Sequence, residues 1–386
     1  MYNCLELRKF VAPEFVFGIN ARQLIGKYAR NIGAQKALIV TDQGIVNSGW
    51  VGDILNDLDD FNIKSVVFKD IHPNPKDSEV IEGTKVFQEE GCNIIIALGG
   101  GSTIDCAKAI GIVHSNKRDI REFEGVDNVK LPGPPIICIP STCGSSADVS
   151  QFCIIVDSLR RVKFAIVSKT LVPDLALIDP MMLTTLSPDY IACTGMDALT
   201  HAIEAYVSNA QSAISDLHAI EAIKLMSGYL YKAVKDSGDL NVLSKVMLGS
   251  LHAGLAFSNA SLGAVHAMAH SLGGFLDLPH GECNAVLLRH IIDYNFDWAS
   301  DRYETICQAM GIDCYHQDKA KIKEKLLEKI DKLNAQLNIR PNYKDYLLNK
   351  EEIAELAVLA MKDCCMVTNP RVPRVEEVGE IYERIL

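Results

Sequence analysis

The chain lacks an excess of positive charge. Its 386 residues include 38 lysines and arginines against 49 aspartates and glutamates, which gives a formal net charge of −11 at pH 7. Binding to a nucleic-acid backbone needs clustered lysines and arginines, so we expect no nucleic-acid partner. Charged residues make up 23% and hydrophobic residues 48% of the chain, a balance typical of a folded protein rather than a disordered one.

Long apolar runs are also missing. We find no stretch that approaches the roughly 18–20 apolar residues of a membrane-spanning helix, and the N-terminal sequence lacks the basic and apolar regions of a signal peptide. The twelve cysteines are scattered, with no C-x-x-C pair and one adjacent pair, Cys364 and Cys365. This spacing argues against a disulfide framework and favours reduced thiols. We therefore predict a cytoplasmic protein without a membrane partner.

The first half of the chain alternates short β-branched runs with segments of helical periodicity, a pattern that predicts an α/β layer with a parallel sheet. The strand candidates are Lys36–Asp42, Ile63–Phe68, Asn93–Gly101, Pro134–Thr142 and Ala176–Pro180. From about Thr184 onward the sequence is helical and offers no strand candidate of comparable quality. We predict an α/β domain over residues 1–183 and an all-helical domain over residues 184–386, since 386 residues suffice for two cores.

A triple-glycine segment, NIIIALGGGSTIDCAKAIGI, predicts a strand, a tight turn and a helix. Gly99, Gly100 and Gly101 have no Cβ, so the backbone there can approach a pyrophosphate and direct its N–H groups at it. We expect Ser102 to cap the helix, with Asp105 in the capping-box position. The segment differs from the G-x-G-x-x-G fingerprint, and the alternative is a plain strand-to-helix turn.

Two further polar features follow predicted strands. The segment PSTCGSSADVS offers the hydroxyls of Ser141, Thr142 and Ser145, which suit a phosphate or the nicotinamide amide; a polar loop is the alternative. Asp42 ends the first strand candidate, where a carboxylate can accept both ribose hydroxyls of NAD and repel the 2′-phosphate of NADP. A role in forming the turn is equally consistent with Asp42 alone.

Histidines and one aspartate are paired at helical spacing in the second half. Asp197 and His201 lie four residues apart, as do His266 and His270, and His280 follows in the segment PHGE. A bound divalent metal ion is the simplest explanation for imidazoles and a carboxylate on apolar helices, because a buried carboxylate without a compensating charge is costly. Mixed N and O ligands suit Fe(II), Zn, Mn or Co. A single histidine on a helix is more often an ordinary core or surface residue, the role assigned to the others: His72, His114, His218, His252, His290 and His316.

With these motifs in order, the chain resembles the iron-containing (group III) alcohol dehydrogenases over nearly its whole length. The resemblance lies in GGGSTIDCAK (99–108), PSTCGSSADVS (140–150), KFAIVSKTLVPDLALIDP (163–180), GMDALTHAIEAY (195–206), GLAFSNASLGAVHAMAHSLGG (254–274), PHGECNA (279–285) and NPR (369–371). The order of several segments is more specific than any one of them.

The resemblance implies roles position by position. One metal ion, Fe²⁺ with Zn²⁺ as the alternative, is expected to have four ligands: Asp197, His201, His266 and His280. Contacts to NAD(H) are expected from Asn74, Gly101, Ser102, Ser141, Thr142, Ser145 and Lys163. His270 matches a histidine near the substrate and nicotinamide, where it relays a proton or orients the substrate, and Asp42 matches the acidic position associated with preference for NAD.

The resemblance also implies an architecture and an activity. The expected fold is that of dehydroquinate synthase, with a dinucleotide-binding domain over residues 1–183, a metal-binding catalytic domain over 184–386 and a cleft between them. The expected reaction transfers a hydride between a small primary alcohol or diol and NAD(H), in a homodimer or higher homo-oligomer.

The sequence departs from the common family pattern at two positions, and other functions are compatible with the same fold. Many family members have TTAGTGSE where this chain has STCGSSAD, so Ser146 replaces a glycine and Asp148 a glutamate. A glycerol dehydrogenase-like polyol oxidoreductase shares the fold, but such enzymes usually lack the histidine at the position of His201. A dehydroquinate synthase-like lyase would need basic residues for its substrate, and GMDALTHAIEAY has none. A non-catalytic scaffold is disfavoured by the complete metal and cofactor sets.

Overall fold

A computed structural model describes residues 7–160, 162–340 and 342–386. The chain forms two compact units, Val11–Leu186 and residues 7–10 with Ser187–Leu386. The predicted assignment of domains to residues 1–183 and 184–386 stays a prediction.

The unit Val11–Leu186 is an α/β layer. Its strands are β1 (Glu14–Phe17), β2 (Lys36–Val40), β3 (Lys64–Phe68), β4 (Ile94–Gly99), β5 (Gly125–Val126), β6 (Ile136–Pro140), β7 (Phe152–Asp157), β8 (Val162–Val167) and β9 (Leu175–Ile178). Its helices are α1 (Ile25–Asn31), α2 (Gln43–Asn47), α3 (Trp50–Asp59), α4 (Asp77–Glu89) and α5 (Gly101–Asn116). The five predicted strands are present as β2, β3, β4, β6 and β9. β1, the two-residue strand β5, β7 and β8 were not predicted.

Six strands form a parallel sheet in the order β1-β9-β6-β4-β2-β3, which confirms the predicted fold class. Leu38 and Ile95 belong to the core on one face of the sheet, and Ile39 and Ile96 to the core on the other. Because successive side chains point to opposite faces, a strand covered on both sides needs the uninterrupted apolar runs seen in the sequence.

The strand order reverses beside β2. The chain runs from β2 outward to β3 and then returns past β2 to β4. At such a reversal the connections after the two strands diverge, which opens a crevice at their carboxyl ends where ligands bind in α/β folds. Asp42 follows β2 and Gly99 ends β4, so two predicted cofactor residues lie at this point.

The second unit is helical throughout its described residues, apart from short 3₁₀ turns and loops. Its helices are α6 (Pro188–Val207), α7 (Ala213–Lys235), α8 (Leu240–Ala260), α9 (Ala264–Leu276), α10 (His280–Asn295), α11 (Ser300–Ala309), α12 (Lys319–Gln336), α13 (Lys350–Lys362) and α14 (Val375–Ile385). α6 begins at a strong start signal, because Pro188 occupies its first turn and the Ser187 hydroxyl accepts a hydrogen bond from the Tyr190 N–H.

One helix is long and apolar enough to cross a membrane by length and composition alone. This helix is α8, which differs from the expectation that no segment qualifies. Most of its candidate span is buried inside the helical unit, where α8 packs against α6 and α7. The core helix of a globular unit passes the same test, so its apolar composition is explained by packing.

Candidate functional site

Helix α6 presents three acidic or imidazole side chains on one face. Asp197, His201 and Glu204 occupy positions i, i+4 and i+7, and each is only 4% exposed. Small and aliphatic residues surround them on α6, so these polar groups must find partners on other helices. Asp197 and His201 were predicted as a pair, whereas Glu204 was not predicted.

The predicted metal ligands converge on one carboxylate oxygen. Asp197 Oδ1 lies 3.9 Å from His201 Nε2, 3.5 Å from His266 Nε2 and 3.7 Å from His280 Nε2. Four ligand atoms around a tetrahedral metal ion, with bonds of about 2.1 Å, lie about 3.4 Å apart. One ligand atom from each of Asp197, His201 and His266 falls within a mutual distance of 4.8 Å. This cluster of three residues fits a divalent ion, and His280 Nε2, at 3.7 Å from Asp197 Oδ1, is placed to add a third nitrogen ligand.

Asn284 on α10 gives independent evidence that these lone pairs converge. Its amide nitrogen lies 2.7 Å from Asp197 Oδ1 and 3.1 Å from the Nε2 atoms of both His266 and His280. Its buried carbonyl oxygen Oδ1 has no hydrogen-bond partner among the described residues. One amide nitrogen thus lies within hydrogen-bond distance of three candidate ligand atoms at once, which marks the point where a cation is favoured.

Electrostatics keep the central carboxylate ionised. Burial alone would raise the pKa of Asp197, but the charges of His201, His280 and His266 outweigh it and hold the pKa well below its ordinary value. An ionised carboxylate is the form that binds a metal. His266 also lies between two carboxylates: burial lowers its pKa, but Glu204 and Asp197 together raise it to about 9.

His270 lies on α9 one turn after His266 and is held by Asp363, which was not predicted. Its Nδ1 lies 2.8 Å from Asp363 Oδ2, and Asp363 Oδ1 accepts the Cys365 N–H. Burial would raise the pKa of Asp363, but the charge and hydrogen bond of His270 hold it at about 2. An ionised carboxylate only accepts hydrogen bonds, so Nδ1 of His270 carries a proton, and the ring has its lone pair on Nε2 when it is neutral.

The predicted cofactor residues follow three neighbouring strands of the α/β unit. Asp42 comes after β2, the glycine turn after β4 and Ser141 after β6, and these strands are adjacent in the sheet. The Ser141 N–H donates to the Gly99 carbonyl at 2.9 Å, which ties the second and third segments together. The sheet thereby collects at one edge three segments that are distant in sequence.

The glycine turn and the serine loop are in close contact. A Cβ on Gly101 would lie 2.7 Å from the Cβ and Oγ of Ser145, and a Cβ on Gly100 would lie 3.1 Å from a Thr142 methyl group. A side chain at Gly101 would displace the loop that carries the predicted hydroxyls, whereas one at Gly100 would need the Thr142 methyl group to move by a few tenths of an ångström. Packing therefore requires a glycine at position 101, in addition to any contact with a pyrophosphate.

The predicted capping of α5 is wrong. Gly100 is the N-cap residue and gives no side-chain cap, while Ser102 lies inside the first turn. Asp105 instead accepts the Ile154 N–H of β7 at 3.1 Å, and burial raises its pKa to about 7. The backbone N–H groups of the first turn are consequently not capped by Ser102, and such groups form an anion-binding site at a helix N-terminus.

Asp42 is a helix cap as well as a predicted ribose ligand. One carboxylate oxygen accepts the Ile45 N–H at 3.0 Å and caps α2, while the other accepts the Thr103 hydroxyl at 3.3 Å. Thr103 belongs to the first turn of α5, so Asp42 connects the ends of β2 and β4.

Asn74 and Lys163 are brought together through β7. Val156 of β7 donates its N–H to the Pro75 carbonyl at 2.8 Å, and Val156 is also the cross-strand partner of Lys163 on β8. Both predicted residues are half-buried, and Asn74 has a positive φ of 58°. The small sheet β5-β8-β7 therefore carries Lys163 and is hydrogen-bonded to the loop that contains Asn74.

Comparison with known proteins decides the family. Residues 12–180 match the family model described as iron-containing alcohol dehydrogenase, and residues 191–386 match the model of the C-terminal part of the Fe-containing alcohol dehydrogenase family. The chain belongs to the iron-containing alcohol dehydrogenase family. Membership makes it an NAD-dependent oxidoreductase that interconverts alcohols and aldehydes.

Relatives within the family align over nearly the full chain. The chain is 38% identical over 368 residues to a lactaldehyde reductase of Escherichia coli K12, covering 95% of this chain and 96% of the relative. It is 33% identical over 377 residues to an NAD-dependent methanol dehydrogenase of Bacillus methanolicus, covering 98% and 99%. A crystal structure of a 1,3-propanediol oxidoreductase is 35% identical and superimposes with a TM-score of 0.96, covering 99% of this chain and 100% of that one.

Two departures from the common family sequence, Ser146 and Asp148, lie in the segment after β6 of this alcohol dehydrogenase. Ser146 has a positive φ of 47°, a conformation that glycine adopts without strain. Asp148 is 5% exposed, and burial raises its pKa to about 6. Both residues lie next to the predicted hydroxyl ligands without replacing any of them.

Proposed function

We propose that Asp197, His201, His266 and His280 hold one ferrous ion, and that the protein uses it to oxidise small primary alcohols or diols with NAD, or to reduce the aldehydes. The observation that carries the proposal is the convergence of three imidazole Nε2 atoms within 3.9 Å of one carboxylate oxygen. When bound, the metal supplies Lewis acidity toward the substrate oxygen, and NAD(H) exchanges the hydride. Three nitrogen ligands and one oxygen ligand also accept zinc.

His270 is proposed to move the proton of the reaction. Oxidation of an alcohol to an aldehyde releases a hydride and a proton, and the proton needs an acceptor. With Nδ1–H directed at Asp363, the neutral ring of His270 offers its Nε2 lone pair as that acceptor. In the reverse direction the same atom returns the proton to the developing alkoxide.

The α/β unit is proposed to bind NAD(H) with Asp42, Asn74, Gly99, Gly100, Gly101, Ser102, Ser141, Thr142, Ser145 and Lys163. The first turn of α5 offers backbone N–H groups to the pyrophosphate. Asp42 lies at the end of β2, where a carboxylate favours the free ribose hydroxyls of NAD. These positions follow the ligand-binding edge of a parallel sheet.

The substrate is proposed to be a short alcohol, diol or aldehyde. Relatives at 33–38% identity are named for methanol and lactaldehyde, which are small oxygenated molecules. We also propose that the protein is cytoplasmic and forms a homodimer or higher homo-oligomer. All eleven cysteines among the described residues are free thiols, which supports a reducing compartment, and sedimentation equilibrium tests the oligomeric state.

The test combines metal loading with turnover. The protein is purified anaerobically, stripped with a chelator and reloaded with Fe(II), Zn(II) or Mn(II), and NAD reduction at 340 nm is measured with methanol, 1,3-propanediol, 1,2-propanediol and glycerol. We expect NADH formation with the short alcohols that depends on added metal. Turnover by the stripped protein that equals turnover by the loaded protein contradicts the proposal.

The ligand assignment is tested by His266→Ala. We expect this variant to lose bound metal and activity while keeping its circular dichroism spectrum, because an alanine leaves no ligand atom. His316→Ala, at an exposed histidine, is the matched control and should keep both. Full metal content in His266→Ala, measured by elemental analysis, rules out the assignment.

A further inference from the structure

We propose that Glu204 is the positioning residue of the metal centre: it fixes the ring of His266 with the proton on Nδ1 and thereby directs the Nε2 lone pair at the ion. The inference rests on the proposed function, in which His266 is a ligand. Glu204 itself does not touch the ion in this arrangement, because both of its oxygens are engaged elsewhere.

The contacts of Glu204 define its role. Oε2 lies 2.5 Å from His266 Nδ1, and Oε1 accepts the Val265 N–H at 2.7 Å. Among the described ion pairs of the chain, His266 is its only partner. A buried carboxylate is costly unless it is paired and hydrogen-bonded, so its presence needs a reason beyond filling space.

The carboxylate dictates which nitrogen of His266 is protonated. An ionised glutamate offers only acceptor atoms, so the neighbouring Nδ1 must carry hydrogen, and the neutral ring that binds a metal has its lone pair on Nε2. That atom is the one that faces Asp197 Oδ1 at 3.5 Å. The opposite tautomer would place a hydrogen on Nε2 and remove the ligand. Histidine ligands of metals commonly donate their second N–H to a carboxylate in this way.

Glu204 also sets where α9 begins. Val265 is in the first turn of α9, whose N–H groups lack partners within the helix, and the Ala264 N–H is accepted by Asn369 Oδ1 at 3.1 Å. A Cβ on Gly263 would lie 2.9 Å from Glu204 Oε1, so glycine leaves room for the carboxylate there. A negative charge at this end of the helix is favourable as well. One side chain thus fixes both the ring and the helix that carries it.

Glu204→Gln separates this role from a purely structural one. The glutamine keeps the size of the side chain, and its carbonyl oxygen can still accept the Val265 N–H. Its amide N–H₂ then faces His266 Nδ1 and donates to it, which moves the ring proton to Nε2. The variant is therefore expected to fold with the metal ligand in the wrong tautomer.

The experiment measures metal affinity and the tautomer directly. Zn²⁺ affinity is determined by competition with a chromophoric chelator, and we expect a loss of about 10–100-fold in Glu204→Gln. Glu204→Asp, which keeps the carboxylate, should recover part of the loss, and Glu221→Gln, a half-exposed glutamate on α7, should match the parent protein. An unchanged affinity in Glu204→Gln overturns the proposal.

A measurement on the parent protein covers the case in which the variant fails to fold. In Zn²⁺-loaded protein with ¹⁵N-labelled histidine, proton–nitrogen correlation spectra should show hydrogen on Nδ1 of His266. Hydrogen on Nε2 would refute the proposal. Failure of the proposed function gives a different result, because His266→Ala would retain its metal if His266 were not a ligand. If His266→Ala loses metal while Glu204→Gln keeps it, only the role of Glu204 is wrong.

Discussion

The two units build their candidate sites from different parts of the chain. In the helical unit the site consists of buried side chains, with His266 between the carboxylates of Asp197 and Glu204. In the α/β unit the site consists largely of backbone and loop, at the ends of β2, β4 and β6. The difference indicates how each fails. A side-chain site is lost when one atom is changed, whereas a backbone site is lost only when its loops are moved apart.

Outside the metal ligands, Asp363→Asn gives the largest expected effect, because it changes one oxygen behind a side-chain site. The amide can present N–H₂ to His270 Nδ1, which shifts the ring proton to Nε2 and removes the proposed proton acceptor. Since general acid–base catalysis contributes about 10²–10⁴-fold, we expect kcat for alcohol oxidation to fall by about 100-fold.

Metal content separates this role from that of the ligands. Asp363→Asn should keep its full complement of metal by elemental analysis, because Asp363 is not among the four predicted ligands. Loss of metal together with activity would instead place His270 and Asp363 in the metal site itself. Those two residues and Cys365 do lie close enough together to hold an ion.

Gly101→Ala tests the backbone site. The added Cβ would lie 2.7 Å from Ser145, so the serine loop must move away from the glycine turn. We expect the KM for NAD to rise by about 10-fold, equivalent to about 1.4 kcal/mol, with the metal content unchanged. Gly52→Ala, on α3 where no atom lies within 4 Å of the new Cβ, is the control and should leave KM unaltered. Equal KM values in the two variants would mean that the close contact is irrelevant to NAD binding.

How far the sequence could predict these sites follows from how local the signals are. Asp197 with His201, and His266 with His270, are visible as pairs within single helices. Asp363 lies 93 residues from His270, and no local pattern connects them. Glu204 had a signal, since it continues the face of Asp197 and His201 on a helix with few other polar residues, and the rule applied to Asp197 would have found it.

The fold was also predictable where the sequence signal was local. The strands that were missed are those whose local signal was weak. The strands β2, β4 and β6 are buried on both faces, so their uninterrupted apolar runs identify them. β1 is partly exposed and has four residues, and β8 alternates between half-buried and buried positions, so neither gives an uninterrupted apolar run. The capping of α5 by Ser102 was wrong because a glycine with extended backbone already ends the turn.

Asp42 combines the two kinds of site, because its side chain caps the backbone of α2 and is also a predicted ligand of the NAD ribose. Asp42→Ala should reduce the preference for NAD over NADP several-fold and also lower the free energy of unfolding by about 1 kcal/mol through loss of the α2 cap. Asp42→Ser keeps a capping oxygen, so it should change the cofactor preference alone. The ratio of kcat/KM for the two cofactors and urea denaturation measure the two effects. A cofactor preference that stays constant in both variants would leave Asp42 as a cap only.

The smallest expected effect is at Ser146, where the substitution tests the strain of the backbone rather than a contact of the side chain. A non-glycine residue in the left-handed region costs about 1–2 kcal/mol, whereas a glycine adds about 0.4–1 kcal/mol of unfolded-chain entropy. With φ at 47°, Ser146→Gly should therefore raise the free energy of unfolding by less than about 1 kcal/mol. The neighbouring Ala147→Gly, at a buried position with negative φ, should lower it by a similar amount. If urea denaturation shows both variants destabilised equally, strain at residue 146 does not explain why glycine is common there.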